Sequence, residues 1–502
     1  MSITTQDYLQ HDATALAALV KAKSVSADEL LDVALQLAAQ WNPHINAIIS
    51  PLHDYARQLI QTCDPQAPLY GVPFLVKDLC TQLAGTPYSA GSNSLKNYRS
   101  EQDSVLGARF KQAGLIIFGK TNTPELGLMG TTEPKAFGAT HNPWQSNVSC
   151  GGSSGGSGAA VAAGIVPMAS GGDGGGSIRI PASACGLFGL KPSRYRISSG
   201  PQAAEFWDGA AVEHVITRSV RDSALMLDLC NGPAAGEPSP TMQQTGFMAA
   251  LNEPPKKLRI AFSNESPIGG FVSAEAKAAL HHTIKLLTDL GHDVVEAKPN
   301  IDGNAVARCY LTMYFGHVAA DLMDISALTG VPWKKLKVEQ ATHTLARFGM
   351  ALPAAEFVKA KRLWNQFGRA LGAFFQDYDL YLTPTLADVP QPHGTFAPST
   401  MDVLSMHLVN TLGLHKLALK TAIVEDMAYK SLEKLPFTQL ANLTGVPAMS
   451  VPLYWADTAS GHSLPVGSQF MAPMGAEAHL LALAAQLEAA QPWFHKRPPT
   501  PN

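Results

Sequence analysis

Two glycine-rich runs hold the side chains of this chain best suited to covalent chemistry. Gly151-Gly152-Ser153-Ser154-Gly155-Gly156-Ser157-Gly158 is followed by Gly171-Gly172-Asp173-Gly174-Gly175-Gly176-Ser177-Ile178-Arg179-Ile180-Pro181. Glycine opens backbone angles closed to other residues and lets backbone N–H groups approach a ligand. In the order Gly174-Gly175-Gly176-Ser177, consecutive N–H donors can converge beside a hydroxyl, which is what an oxyanion needs. A serine in a glycine loop is most often a turn former. Here the neighbouring donors and the charged pair Asp173 and Arg179 favour catalysis instead. A Gly/Ser linker has a similar composition, but the apolar segment Ala159 to Met168 between the two runs reads as buried helix or strand. Upstream, Lys77 closes the short apolar run Val72 to Val76. A lysine placed at the end of a buried strand is held in a cleft rather than left on the surface.

Two other patterns compete for the same residues. Gly114-Leu115-Ile116-Ile117-Phe118-Gly119-Lys120-Thr121 fits a phosphate-binding loop by residue type. That loop needs an irregular stretch between the glycines and a helix at the lysine. The residues between these glycines predict a strand, and Pro124 follows, so nucleotide binding is disfavoured. Gly152-Ser153-Ser154-Gly155-Gly156 fits the G-x-S-x-G nucleophile elbow. With 16 histidines in the chain, a Ser-His-Asp triad is not excluded by counting, but the elbow leaves Lys77 and the second glycine run without a role.

The glycine runs, with Gly71-Val72-Pro73-Phe74-Leu75-Val76-Lys77-Asp78, closely resemble the amidase signature family of serine hydrolases. The likeness continues through Gly119 to Glu125, His141-Asn142-Pro143-Trp144, Gly189-Leu190-Lys191-Pro192, Asn442 to Ala448 and Pro465-Val466-Gly467. It is weakest over about 300–435. The resemblance implies the α/β amidase signature fold, a central, mostly mixed and twisted β-sheet covered by helices on both faces. It implies a single domain over 1–502, with an N-terminal helical hairpin at about 8–62 and a mainly helical, substrate-covering region at about 303–432.

The same resemblance assigns roles. Ser177 is the expected nucleophile, Ser153 a relay serine held by a cis peptide bond, and Lys77 the base. Backbone N–H groups of Gly174, Gly175, Gly176 and Ser177 are the expected oxyanion hole, with Ser154, Asp173 and Arg179 as its supports. A free lysine is cationic at neutral pH, with a pKa of about 10.4. Burial beside hydroxyl partners lowers it toward the range a general base needs. No metal or organic cofactor is implied. The expected reaction is hydrolysis of a carboxylic amide (small aryl or aliphatic, peptide or cyclic) through an acyl-enzyme.

Gly172 departs from the family's usual Thr or Ser before the aspartate, and predicts either a looser loop or one tightened by another side chain. The segment Gly171 to Ser183 looks like the branch that includes hydrolases of cyclic amide oligomers and of small aryl or aliphatic amides. The alternative reading is the glutaminase subunit of a glutamine-dependent tRNA amidotransferase; the aromatic-rich helical stretch 303–432 speaks against it. A catalytically silent binding protein is disfavoured because all three catalytic residue types are present.

The elements that must position these residues read as follows. Residues 12–41 predict two helices, the second opened by the capping box Ser26-Ala27-Asp28-Glu29 and stopped by Pro43. Residues 101–113 predict a helix and Leu115 to Phe118 a strand. Helices are expected from Ile178 to Cys185 and over Arg218 to Leu227. Residues 230–256 predict a polar loop or boundary. Leu258 to Phe262, Ser273 to Leu290 and Val294-Val295 predict a βαβ unit. A strand is expected at Leu380-Tyr381-Leu382, and the tail predicts strands at Ala448 to Leu453 and Val466 to Met471, then a helix at Glu477 to Ala489.

Composition bounds the rest. Of 502 residues, 46% are hydrophobic and 15% charged, which supports a large core and argues against disorder. The net charge of −3, without a basic block, disfavours a nucleic-acid partner. Six scattered cysteines lack zinc spacing and predict reduced thiols of a cytoplasmic protein. Cys150 is expected to pack rather than react. No signal-like start or membrane-spanning run is read. The expected partner is therefore a small-molecule amide, with a monomer or homodimer and no membrane.

Overall fold

The apolar runs fold into one mixed sheet. The computed structural model describes residues 3–237, 246–253, 255, 257–419, 421, 423–458, 461 and 463–501. Its strands are β1 (Ile48–Pro51), β2 (Pro73–Lys77), β3 (Ile116–Thr121), β4 (His141–Asn142), β5 (Gln145–Ser149), β6 (Met168–Asp173), β7 (Phe188–Lys191), β8 (Val212–Thr217), β9 (Arg259–Phe262), β10 (Asp293–Glu296), β11 (Leu380–Pro384), β12 (Ala448–Asp457) and β13 (Ser463–Met471). Eleven of them run in the order β1-β3-β2-β6-β8-β7-β12-β13-β11-β9-β10, while β4 and β5 pair apart. β2 is parallel to β3 and β6, and β9 is parallel to β10 and β11. The other neighbours in the sheet are antiparallel. Helices flank this sheet, as the α/β expectation required.

Strands β2 and β3 are buried along their whole length, which is why each reads as a continuous apolar run rather than an alternating one. Pro73 is tolerated because it opens its strand. The Gly114–Thr121 segment is largely strand β3, not a phosphate loop. Its Lys120 is fully buried, with Nζ 3.8 Å from Asp78 Oδ1.

The capping signals were legible. Ser26 and Glu29 form the reciprocal capping box of helix Ala27–Ile45. Ser273 caps helix Ala274–Asp289 through the Ala276 N–H, and β9, this helix and the parallel strand β10 make the expected βαβ unit. Three expectations need correction. Pro43 does not stop its helix, which runs on to Ile45 and ends at Asn46 in the left-handed conformation. Trp41 and Ile45 are buried in the core on either side of it, and packing outweighs the one lost donor. The helix expected over 101–113 begins only at Val105, capped by Ser104. Strands β1, β6, β7 and β8 were not anticipated. β6 reads Met-Ala-Ser-Gly-Gly-Asp, a composition with little intrinsic strand preference. The 8–62 segment accordingly contains edge strand β1 as well as helices. Within 230–256, a short helix spans Phe247–Ala250; positions 238–245, 254 and 256 lie outside the described residues.

The 303–432 stretch is mainly helical, including Gly303–Thr329, Gln340–Ala351, Ala354–Phe374 and Thr400–Leu412, with β11 between the third and fourth of these. Among the described residues, no helix is long and apolar enough to cross a membrane. All six cysteines are free thiols, and Cys150 is fully buried in the core.

Candidate active site

Parallel strands deliver their C-terminal ends to the same edge of a sheet. β2 and β6 are parallel neighbours, so Lys77 and Asp173, the last residues of each, emerge side by side. The Lys77 N–H donates to Ser170 Oγ of β6 at 2.8 Å, pinning the end of one strand to the other. Lys77 Nζ lies 2.7 Å from Ser153 Oγ in hydrogen-bonding geometry and 3.5 Å from the Gly172 carbonyl. Both side chains are almost wholly buried. The Gly152–Ser153 peptide bond is cis. Burial pulls the Lys77 pKa down to about 8, offset in part by Cys80, Glu213 and Asp173.

Ser177 follows β6 at the foot of helix Arg179–Cys185. Lys77, Ser153 and Ser177 line one cavity of about 550 Å³, together with Gly172, Asp173 and Gly174. The carbonyl of Ser177 accepts the Ser154 N–H at 3.3 Å, joining the two glycine runs.

The loop between Asp173 and Ser177 is shaped by groups from remote parts of the chain. A Cβ on Gly175 would lie 1.8 Å from the Tyr310 hydroxyl, so only glycine fits beneath that tyrosine. Gly176 has φ +125°, and a Cβ there would lie 2.5 Å from Thr438 Oγ1. Thr438 Oγ1 donates to the Gly175 carbonyl at 2.5 Å, while the Gly176 N–H donates to Asp173 Oδ1 at 2.7 Å. Both ends of the Gly175–Gly176 peptide are therefore held. Of the four N–H groups expected to form an oxyanion hole, that of Gly176 donates to Asp173. Among the described residues, the N–H groups of Gly174, Gly175 and Ser177 have no protein acceptor.

Asp173 and Arg179 are fully buried and meet in two hydrogen bonds of 2.8 Å. Arg179 also donates to the Thr438 carbonyl at 3.0 Å, Gln469 Oε1 at 2.6 Å and Asn442 Oδ1 at 2.7 Å. Burial by itself would raise the Asp173 pKa. The Arg179 charge and the hydrogen bonds from Arg179 and Asn442 override it and hold the carboxyl far below the usual carboxylate range. Removing one partner of such a pair leaves an uncompensated charge inside the protein. Asp173→Asn is expected to lower the unfolding free energy by about 3–5 kcal/mol, read by urea denaturation. Lys285→Ala, which breaks an exposed pair with Asp289, should change it by less than about 1 kcal/mol.

Ser154 resolves the question raised by Gly172. Its Oγ accepts the Gly172 N–H at 3.2 Å and donates to the Gly172 carbonyl at 3.3 Å. The position is thus braced by a neighbouring side chain instead of its own. The same bonds speak against the nucleophile elbow: Ser154 is fully buried, and no described histidine partners it. The histidine on the cavity wall, His317, turns its Nε2 to Asp208 at 3.3 Å.

Several groups that shape the site were not singled out from the sequence. Thr438 and Gln469 carry no local signal. Asn442 lay within a recognised stretch without a role assigned, and Tyr310 was one aromatic among many. Glu213 sits opposite Gly172 in the β6–β8 register, 7% exposed, with Thr81 Oγ1 donating to its Oε1.

Comparison with known proteins agrees with this architecture. A family model described as Amidase matches residues 29–481. The chain is 35% identical over 500 residues to a 6-aminohexanoate-cyclic-dimer hydrolase of Pseudomonas sp. (strain NK87), covering 98% of this chain and 97% of that protein. A solved structure of 6-aminohexanoate cyclic dimer hydrolase complexed with substrate superposes with a TM-score of 0.88 at 34% identity, covering 98% of this chain and all of the other. A bacterial aryl acylamidase superposes with a TM-score of 0.81 at 26% identity, covering 96% of this chain and 97% of the other.

Proposed function

The chain belongs to the amidase signature family of amidohydrolases, and from that premise we propose that it hydrolyses a carboxylic amide by acyl transfer to Ser177. The observation that carries this reading is the 2.7 Å contact between Lys77 Nζ and Ser153 Oγ in a cavity that Ser177 also lines. A lysine with a pKa of about 8 is neutral in about one molecule in ten at pH 7 and in most molecules above pH 8, and can act as a base.

The Ser177 hydroxyl attacks the amide carbon while its proton passes to Ser153, whose own proton passes to neutral Lys77. The carbonyl oxygen becomes an oxyanion, received by the unengaged N–H groups of Gly174, Gly175 and Ser177. Collapse of the tetrahedral intermediate breaks the C–N bond. The leaving nitrogen takes a proton back through Ser153, and the acyl group stays on Ser177 as an ester. Water, deprotonated along the same relay, then attacks the ester; the acyl–Oγ bond breaks, the proton returns through Ser153 to Ser177 Oγ, and the carboxylic acid is released. The Asp173–Arg179 pair keeps the loop in place throughout and exchanges no proton.

Relatives act on a cyclic amide and on aryl amides, by their names, and these are the substrates to test first. The purified chain is expected to hydrolyse 6-aminohexanoate cyclic dimer or an acyl p-nitroanilide, read by chromatography or by released nitroaniline. Ammonia release from L-glutamine should be far slower. Efficient glutaminase activity without amide or anilide hydrolysis would overturn this assignment in favour of an amidotransferase subunit.

A further inference from the structure

The wall of the catalytic cavity is unevenly charged. It includes Glu101, Glu205, Glu213, Asp321 and Asp324 as well as Asp173. Asp173 is neutralised by Arg179, and Glu205 feels the charge of the nearby Arg194. Glu213 feels Lys120 behind the wall as well as Lys77, while among the described residues Glu101, Asp321 and Asp324 have no lysine or arginine paired with them. Among the described residues, Lys77 is the only lysine or arginine on this wall, and the proposed chemistry needs it neutral. In the working state the cavity therefore offers carboxylates without cations.

Two of these carboxylates are poised for a ligand. Glu213 is 7% exposed, and Thr81 alone among the described residues hydrogen-bonds its carboxylate, by its hydroxyl to Oε1 and by its backbone N–H. Asp321 lies on the cavity face of helix Gly303–Thr329 with His317, Asp324 and Ile325. It makes no hydrogen bond or ion pair with a described residue. Burial raises Asp321 to about 6 and Glu213 to about 7, so ionising either one in the unliganded cavity is costly, and a cation beside either would relieve that cost. Tyr88 and Trp207 supply aromatic wall nearby, suited to a methylene chain and to cation–π contact.

We propose that the preferred amide substrate carries a protonated amine, which Asp321 or Glu213 receives within the catalytic cavity. The inference rests on the amide-hydrolysis reading of that cavity and adds the charge of its substrate.

Its test pairs turnover with binding. Matched p-nitroanilides of ω-amino acids (glycyl, 4-aminobutyryl, 6-aminohexanoyl) and of the corresponding neutral acids (acetyl, butyryl, hexanoyl) are compared at pH 7.5. In parallel, n-hexylammonium and 1-hexanol are titrated calorimetrically into Ser177→Ala protein. At least one amino-acyl anilide is expected to exceed its neutral partner by about tenfold or more in kcat/KM, mainly through KM, and hexylammonium to outbind hexanol by a similar factor. Asp321→Asn should bring both ratios toward one, with Asp324→Asn, nearer solvent on the same helix, moving them less. Asp321→Lys should reverse the preference toward 5-carboxypentanoyl p-nitroanilide. Near-ultraviolet circular dichroism confirms that the variants are folded. Neutral anilides hydrolysed as well as amino ones, with hexanol binding as tightly as hexylammonium, would overturn the proposal and leave amide hydrolysis standing. If no anilide or amide is cleaved, amide hydrolysis fails, and the calorimetric preference still decides the charge of the ligand.

Discussion

Ser177→Ala is expected to lower kcat by a factor on the order of 10⁶, the scale seen when a serine hydrolase loses its nucleophile. Labelling by a fluorophosphonate, followed by intact-mass measurement, should disappear with it. Ser154→Ala should still be labelled, though more slowly, because Ser154 Oγ braces both the N–H and the carbonyl of Gly172 and touches no reacting group. The contrast separates two serines that share a composition and a glycine-rich setting. Labelling lost in Ser154→Ala alone would move the nucleophile to the first glycine run and with it the mechanism.

Lys77→Ala should cost about 10²–10⁴ in kcat/KM, the usual contribution of a general base. Its effect on pH dependence is more telling. The base works when neutral, so kcat/KM should rise with pH through the Lys77 pKa of about 8 and level off above it. Below that pH the rate should fall about tenfold per unit. Burial sets the position of this limb, with Cys80, Glu213 and Asp173 opposing it. Lys77→Ala should remove the limb and leave a small, nearly flat residual rate. Lys77→Arg should not restore activity, because a guanidinium does not shed its proton in this range. Lys77→Ala and Ser153→Ala together should be little worse than the poorer single variant, since both serve one relay. A rising limb near 6.5 that survives Lys77→Ala and vanishes on replacing a histidine would exclude the lysine relay.

Gly175 and Gly176 answer two different demands, and Gly172 answers neither. Gly175 is required by the Tyr310 hydroxyl above it, and Gly176 by a backbone angle of +125° with Thr438 alongside. A Cβ at Gly172 would meet Glu213 Cγ at an ordinary 3.6 Å, and the backbone angle there is not the obstacle. The departure at Gly172 is therefore not imposed by space. Its bracing comes from Ser154, the residue directly after Ser153.

What the sequence determined by itself was local or carried by contiguous motifs. Ser26 and Glu29 mark a helix start because the capping bonds join residues three apart. The apolar runs of β2 and β3 are legible because a strand buried on both faces leaves no room for alternation. Lys77, Ser153 and Ser177 were singled out from the sequence because each lies in a contiguous segment that resembles the family's signature. Tertiary structure decided what those residues can do. Only the fold reveals that the Gly176 N–H is spent on Asp173, because loop closure, not composition, sets which amide points where. Only the β6–β8 pairing puts Glu213 opposite Gly172, and only the return of helix Gly303–Thr329 sets Tyr310 on Gly175 and Asp321 on the cavity wall. The basicity of Lys77 belongs to the same class. A side chain's type supplies a reference pKa, but desolvation and the field of distant charges move it, and those depend on which remote segments the packed core brings around it.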